Sequence, residues 1–341
     1  MCKKSSLFGW DGRIAKKDSQ SDVETEVPRE PNLAISARKI GIAPGRFSFT
    51  TITNALSAPV ETDVVPDSEP IDSEGSVTLI TSLSVDTRPE VRGSAILGKV
   101  VHRVLERLDS DIGDEKIYEL VQGAAEEFGL SLSTKAVEAS DIVELVKTAI
   151  YGDLGSAAPG KRLVDFRSPS RLPEVGFDLT LRQGVTVSAI MATLQEHLSE
   201  DVNFAEWLRS IQVQDRDLPG FLTGSIDAIL ATGEAESPKF LIIDYKSNRL
   251  SEQGPQGYGV DSMRQSMSDH HYQLQALLYL VALHRYLRSR LGGTYDYETY
   301  VGGAAYLYIR GMRREVPGAG VMHLKPSSAC IEALSNLFDG N

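Results

Sequence analysis

The sequence predicts an α/β protein, and three observations predict it. Leu172–Leu181 and Phe221–Leu230 alternate side-chain character along their length, as half-buried strands do. Phe240–Ile243 is an uninterrupted apolar run of the kind a buried strand needs. Tyr272–Arg290 repeats Leu274, Leu277, Leu278 and Val281 at helical spacing. Strand and helix periods that alternate along one chain argue for the α/β class.

Composition narrows the function classes. A chain of 341 residues holds one large domain or two small ones. Its 41% hydrophobic content is that of a globular protein, and no apolar run is long enough to span a bilayer. The opening Met1-Cys2-Lys3-Lys4-Ser5 lacks a signal peptide's apolar core. Only Cys2 and Cys330 are present, so neither a disulfide framework nor a four-thiolate metal site is expected, and the reading is a cytoplasmic protein with no membrane partner. The net charge of −12 argues against non-specific coating of nucleic acid. Many of the acids fall between Glu61 and Glu90, so the rest of the chain is less hostile to DNA than the total suggests.

Residues 1–44 have no sustained period and read as a flexible or remnant arm ahead of a single domain, 45–341. Arg46–Ile52 is a short alternating, β-branched and aromatic piece. The acidic, Pro- and Ser-containing stretch of about 58–92 reads as an exposed loop. Gly93-Ser-Ala-Ile-Leu-Gly98-Lys99 has phosphate-loop spacing, but Val100 stands where a Ser or Thr is needed and no apolar strand precedes it. No ATP site is expected there. The same region is helical, with Val101, Val104, Leu105 and Leu108 as its stripe and His102 and Glu106 together beside it.

Two helices follow within about 115–150, broken near Gly129-Leu130-Ser131. In the strand Leu172–Leu181, Val175, Phe177, Leu179 and Leu181 share one face and Glu174 lies on the other. Thr193–Ile211 reads as helix. Phe221, Thr223, Ser225, Asp227 and Ile229 are assigned to one strand face, and Gly224 leaves room for a close approach to the backbone. Turn residues between Ala231 and Lys239 make this strand and the next an antiparallel hairpin. A Gly-rich loop through Gly254, Gly257 and Gly259 leads to the helix at Tyr272, where Gln275 and Tyr279 share a face. Gly302–Arg310 is a further strand, ending at the basic cluster Arg310, Arg313 and Arg314. Ser328–Phe338 closes the chain as a helix.

The chemistry is concentrated at the end of the apolar strand, Ile243-Asp244-Tyr245-Lys246. Strand alternation puts Asp244 and Lys246 on one face with Ile242, and Leu241, Ile243 and Tyr245 on the other. The hairpin brings Asp227 near them. Carboxylates that converge suit a hard divalent cation such as Mg²⁺. An ion held in this way orients water and clamps phosphate oxygens, while Lys246 steadies the developing charge. Arg310, Arg313 and Arg314 are candidate DNA contacts, although a solvated charge run has the same composition.

These residues resemble the PD-(D/E)XK nuclease superfamily, and within it the RecB-type nuclease domain of exodeoxyribonuclease V beta subunits. The resemblance rests on Gly98-Lys-Val-Val-His102-Arg-Val-Leu-Glu106, Leu222-Thr-Gly-Ser-Ile-Asp227, Asp244-Tyr-Lys246-Ser-Asn248, Tyr272-Gln-Leu-Gln275-Ala-Leu-Leu-Tyr279 and Tyr295–Gly311. It implies a mixed central sheet flanked by helices, a site at one sheet edge and a helical insertion at about 115–150. It also implies a metal held by His102, Asp227 and Asp244, with Glu174 as a further candidate ligand. Lys246 becomes the catalytic base or charge stabiliser, and Tyr245, Gln275 and Tyr279 match accessory motif positions.

The implied activity is Mg²⁺- or Mn²⁺-dependent hydrolysis of DNA phosphodiesters, in recombinational repair or degradation of DNA ends. The implied partners are single- or double-stranded DNA ends, RecC-like and RecD-like subunits and a separate helicase region. Relatives with an iron–sulfur cluster need four cysteines, so no cluster is expected. The contrasting reading is a catalytically silent module of the same fold that docks a RecC-like partner or DNA.

Overall fold

A computed structural model of the protein describes residues 45–56, 95–108, 113–134, 137–218, 220–234, 238–250 and 254–340. The expected N-terminal arm, the acidic loop and Gly93 of the phosphate-loop-like stretch lie outside the described residues.

In chain order the elements are β1 (Gly45–Phe47), α1 (Phe49–Thr53), α2 (Ala95–Arg107), α3 (Asp114–Glu127), the two-residue strands β2 (Ser133–Thr134) and β3 (Val137–Glu138), α4 (Ala139–Tyr151) and β4 (Arg171–Leu181). Then come α5 (Val187–Leu198), α6 (Ala205–Ser210), β5 (Gly220–Ala231), β6 (Phe240–Lys246), α7 (Val260–Asp269) and α8 (Tyr272–Leu291). The chain ends with α9 (Tyr297–Tyr300), β7 (Val301–Tyr308), β8 (Val321–Leu324) and α10 (Ser328–Asp339).

Six strands make one mixed sheet in the order β1-β5-β6-β7-β8, with β4 on the other edge of β5. The β5–β6 pair is antiparallel, as the hairpin chemistry predicts, and β6–β7 is parallel. A parallel pair needs a long crossover, and α7 and α8 lie in the segment between β6 and β7.

The alternation in β6 sorts the molecule into two cores. Leu241, Ile243 and Tyr245 pack with α2, α3 and α4 on one face, while Ile242 packs with α5, α8 and α10 on the other. Every residue of α8 from Tyr272 to His284 is buried. A helix apolar on most sides is one covered on most sides, by the sheet below and other helices around it.

Three local expectations are corrected. The Arg46–Ile52 piece is β1 followed by α1, because Ser48 caps a helix there through reciprocal contacts with Thr51. The Thr193–Ile211 helix is two, α5 and α6, separated by a turn in which the Asp201 side chain accepts from the Asn203 amide. The Gly-rich loop includes α7, and a strand, β8, follows the basic cluster. The strand that carries Asp244 and Lys246 is interior, with β5 on one side and β7 on the other.

Candidate active site

The sheet forks at the C-terminal end of β6. One edge of β5 pairs with β1 from Gly220 to Leu222 and with β6 from Ala228 to Ala231. Between those two stretches it pairs with neither, and Asp227 occupies the point of divergence. Its carboxylate takes over a ladder position: the Tyr245 amide donates to Asp227 Oδ2 at 2.7 Å.

The alternation of β5 reverses here. Ile226 and Ala228 are two residues apart yet pack into opposite cores, and Ile229 returns to the core of Ile226. Asp227 and Ile229 therefore do not share a simple strand face, which corrects the sequence reading. The partner strand adapts too. Its ladder passes from Pro173–Ala228 to Val175–Ile226 without a Glu174–Asp227 pair. Glu174 has a φ of 47°, in the left-handed region.

Three groups meet at the fork. On the α2 side, His102 Nδ1 lies 3.5 Å from Asp227 Oδ1, and its ring stands edge-on to Tyr245. Burial pushes the Asp227 carboxyl up. The charge and hydrogen bond of His102, the Tyr245 amide and the Lys246 charge oppose it and leave the carboxyl below its usual range. Across β5, Glu174 accepts from Ser225 Oγ at 3.0 Å. Burial and the neighbouring Asp227 and Glu106 charges raise Glu174 above its ordinary value, against the Ser225 hydrogen bond and His102.

On the α8 side, Lys246 Nζ lies 2.9 Å from Asp244 Oδ2, with both side chains almost fully buried. The ammonium donates to Gln275 Oε1 at 3.4 Å and sits 3.7 Å from the centre of the Tyr272 ring. Gln275 Nε2 donates to Tyr279 Oη at 3.0 Å. The Tyr306 hydroxyl is 3.0 Å from Gln275 Oε1 and 3.1 Å from the Tyr272 carbonyl, two acceptors for one proton. A buried ammonium is tolerable only when it is paired and solvated by dipoles, and this cage supplies both.

The Tyr245 phenol points into the opposite core, where it accepts from Arg171 Nη2 at 3.3 Å and burial raises its pKa. Arg171 also donates to the Leu105 and Leu108 carbonyls, so it fastens the end of α2 to β6. Gly224 is where an aromatic ring approaches closely. A Cβ there would lie 2.7 Å from the Phe177 ring, which stands edge-on to Tyr279.

The structure thus joins His102 to Asp227, and Asp244, Lys246, Gln275 and Tyr279 to one another, with Glu174 across the strand from Asp227. The Tyr245 amide is the link between the two groups. The three arginines are dispersed in role. Arg310 Nε donates to the Ser247 carbonyl at 2.7 Å, Arg314 lies over the Tyr151 ring and 3.8 Å from Glu144, and Arg313 is half-buried. His270 stacks on Tyr272, and His271 Nδ1 accepts from Trp207 Nε1 at 3.0 Å.

Sequence reading missed Tyr272 and Tyr306. A signal for Tyr272 was present, since it stands three residues before Gln275 on one helix. Tyr306 required the β6–β7 register, in which it lies beside Asp244.

Among the described residues, no three His, Cys, Asp or Glu side chains are grouped to hold a metal ion. The carboxylates at the fork are nonetheless hard donors. Two carboxylates flank a single peptide, with an imidazole and a third carboxylate beside one of them, and this chemistry fits a divalent cation.

Comparison with known proteins identifies the family. The model of the PD-(D/E)XK nuclease superfamily matches residues 80–336. The chain is 34% identical over 267 residues to the RecBCD enzyme subunit RecB of Mycolicibacterium smegmatis, covering 72% of this chain and 24% of that protein. It is 30% identical over 307 residues to the Haemophilus influenzae RecB subunit, covering 85% and 23%. With the Escherichia coli subunit it shares 38% over 121 residues, or 36% and 10%. The chain spans about a quarter of the length of the first two of these relatives. A match that takes in α2, the β5–β6 fork and α8 settles the kinship: this chain belongs to the PD-(D/E)XK nuclease superfamily.

Proposed function

We propose that the protein is a RecB-like, divalent-metal-dependent DNA nuclease that hydrolyses phosphodiester bonds. The observation that carries this is the fork itself, which brings Asp227, Asp244 and Lys246 to one peptide of an otherwise buried sheet. Asp227 and Asp244 would hold Mg²⁺ or Mn²⁺, with His102 and Glu174 as further ligands. The ion would supply Lewis acidity toward the phosphodiester and the attacking water.

The protein's own side chains do the rest. His102 and the Tyr245 amide keep Asp227 ionised and aimed. Lys246 presents an ammonium to charge that builds on the phosphate, in a dry site where that interaction is strong. Gln275, Tyr272 and Tyr306 fix the lysine, and Tyr279 fixes Gln275. Arg310, Arg313 and Arg314 are proposed to add phosphate contacts beside the end of β6.

Kinship with RecBCD subunits supports the proposal that this domain works in a cytoplasmic helicase–nuclease assembly. RecC-like and RecD-like partners and a helicase region would act with it on DNA ends. Among the described residues no helix is long and apolar enough to cross a membrane. The domain proposed is 45–341, with α3 and α4 as its helical insertion. A silent docking module would have no need of a caged buried lysine beside two carboxylates, so the enzyme reading is preferred.

The test is incubation of the purified protein with linear and circular, single- and double-stranded DNA, with and without Mg²⁺. Metal-dependent cleavage that Asp227→Asn abolishes is the expected result. Mg²⁺-independent cleavage, or the parental rate in that variant, would overturn the assignment.

A further inference from the structure

A second polar concavity lies at the far end of the sheet. The end of β5, the start of β6, the start of β7 and the end of β8 all meet there, because Ala231 pairs with Phe240, Phe240 with Val301, and Ala304 with Leu324. The cavity has a volume of about 610 Å³. Its lining includes Lys161, Lys239, Lys325, His323, Thr232 and Gly302.

Three lysines lining one open cavity are against the trend of a chain whose net charge is −12. Lys325 is paired with Glu298 at 2.8 Å. Lys161 and Lys239 have no ion pair among the described residues. Burial and the neighbouring Lys325 charge lower the His323 pKa, against the pull of the Gly302 carbonyl 2.8 Å from its Nε2, so the ring adds no cation of its own. Lys161 and Lys239 thus add positive charge that Glu298 does not offset, and an anion that enters relieves their repulsion. The volume suits a phosphate with its sugar rather than a bare halide.

We propose that this cavity binds a phosphate group, held by Lys161, Lys239 and Lys325. In a nuclease, on which this part of the inference rests, that phosphate belongs to the DNA strand at a distance from the bond being cut. The four to five steps of β6 from Phe240 to the Asp244–Tyr245 peptide, at roughly 3.3 Å each, put the cavity about 13–17 Å along the strand from the fork. Long DNA reaches both places, and a trinucleotide reaches one. A released mononucleotide carries the same chemistry and is the other source of the phosphate.

The experiment compares the parent with Lys161→Ala/Lys239→Ala, and with a control, Lys116→Ala/Arg209→Ala, that removes equal charge elsewhere. Affinity for long linear DNA is measured against salt without divalent ions, trinucleotide cleavage with Mg²⁺, and binding of a 5′-mononucleotide by calorimetry. Two lost phosphate contacts should reduce the slope of log K against log salt by roughly 1.4 to 1.8, with no such reduction in the control and trinucleotide cleavage unchanged.

An unchanged slope, with mononucleotide binding seen in the parent and lost in the double variant, supports the cavity with the free nucleotide as its source. An unchanged slope and no lost mononucleotide binding overturns the proposal, as does a control that behaves like the double variant. A parent that cuts neither long DNA nor trinucleotide refutes the nuclease reading, and the binding measurements still judge the cavity.

Discussion

Lys246 shows how one residue's environment limits what it can do. Its ammonium is buried against Asp244, Gln275 and the Tyr272 ring. Breaking a buried ion pair from one side costs about 3–5 kcal/mol, because it leaves a charge without compensation. Asp244→Ala is therefore a poor probe of catalysis. Asp244→Asn keeps the shape and a dipole toward Lys246. It should reduce cleavage at least about 100-fold while losing much less stability than Asp244→Ala. Chemical denaturation alongside nuclease assays checks both, and equal destabilisation by the two variants would contradict the cage. Tyr272 offers a second test. Tyr272→Phe keeps the ring under the ammonium, whereas Tyr272→Leu removes a contact worth about 1–2 kcal/mol when desolvated. Cleavage should survive the first change and fall about tenfold with the second, mainly in kcat. Equal kcat for Phe and Leu would show that the ring's charge distribution plays no part.

At the scale of the element, the fork is stabilised on one strand and strained on the other. Glu174 adopts a φ of 47° opposite Asp227, a conformation that costs a residue with a Cβ roughly 1–2 kcal/mol. Glu174→Gly removes that strain but adds chain entropy to the unfolded state, about 0.5–1 kcal/mol. Its burial-raised pKa means that the charged carboxylate is also disfavoured in the folded protein. The variant should thus be unchanged or more stable by up to about 1 kcal/mol, yet cut DNA more slowly. A thermal melt paired with an activity assay reads this, and a clear loss of stability would mean that the left-handed residue is not strained. The fork also marks where sequence reading ran out. Strand β6 was legible because a continuous alternation sorts its side chains into two cores without exception. Strand β5 was not, since alternation assumes a regular strand and Ile226, Asp227 and Ala228 do not follow one. No pattern within β5 states that a carboxylate will replace a backbone acceptor for Tyr245. Glu174 was found only as a position on a strand face, and its strain depends on the partner strand.

For the molecule as a whole, the main strands and helix α8 followed from periodicity and the hairpin from its turn residues, while β8, α7, the burial of α8 on all sides and the interior place of β6 needed tertiary context. Global stability has its own exposed point, far from the fork. His284 on α8 is buried between Tyr295 and Tyr297; its Nδ1 lies 2.9 Å from the Tyr295 hydroxyl, and its Nε2 has no hydrogen-bond partner among the described residues. Burial, then the charges of Arg288 and Arg285, lowers its pKa from the ordinary 6.5 to about 4. The unfolded chain binds the proton first, so between those two values it holds more protons than the folded one, and stability must fall as pH falls from about 6.5 to about 4. A shift of that size is worth on the order of 3 kcal/mol at full extent. Acid lability should therefore begin well above the range in which carboxylates such as Asp227 titrate. Denaturation midpoints measured from pH 7 to pH 4 should show this slope in the parent. In His284→Gln, which cannot take up the proton, that part of the slope should vanish even if the variant is less stable throughout. A variant that tracks the parent's pH dependence would assign the acid sensitivity to another group.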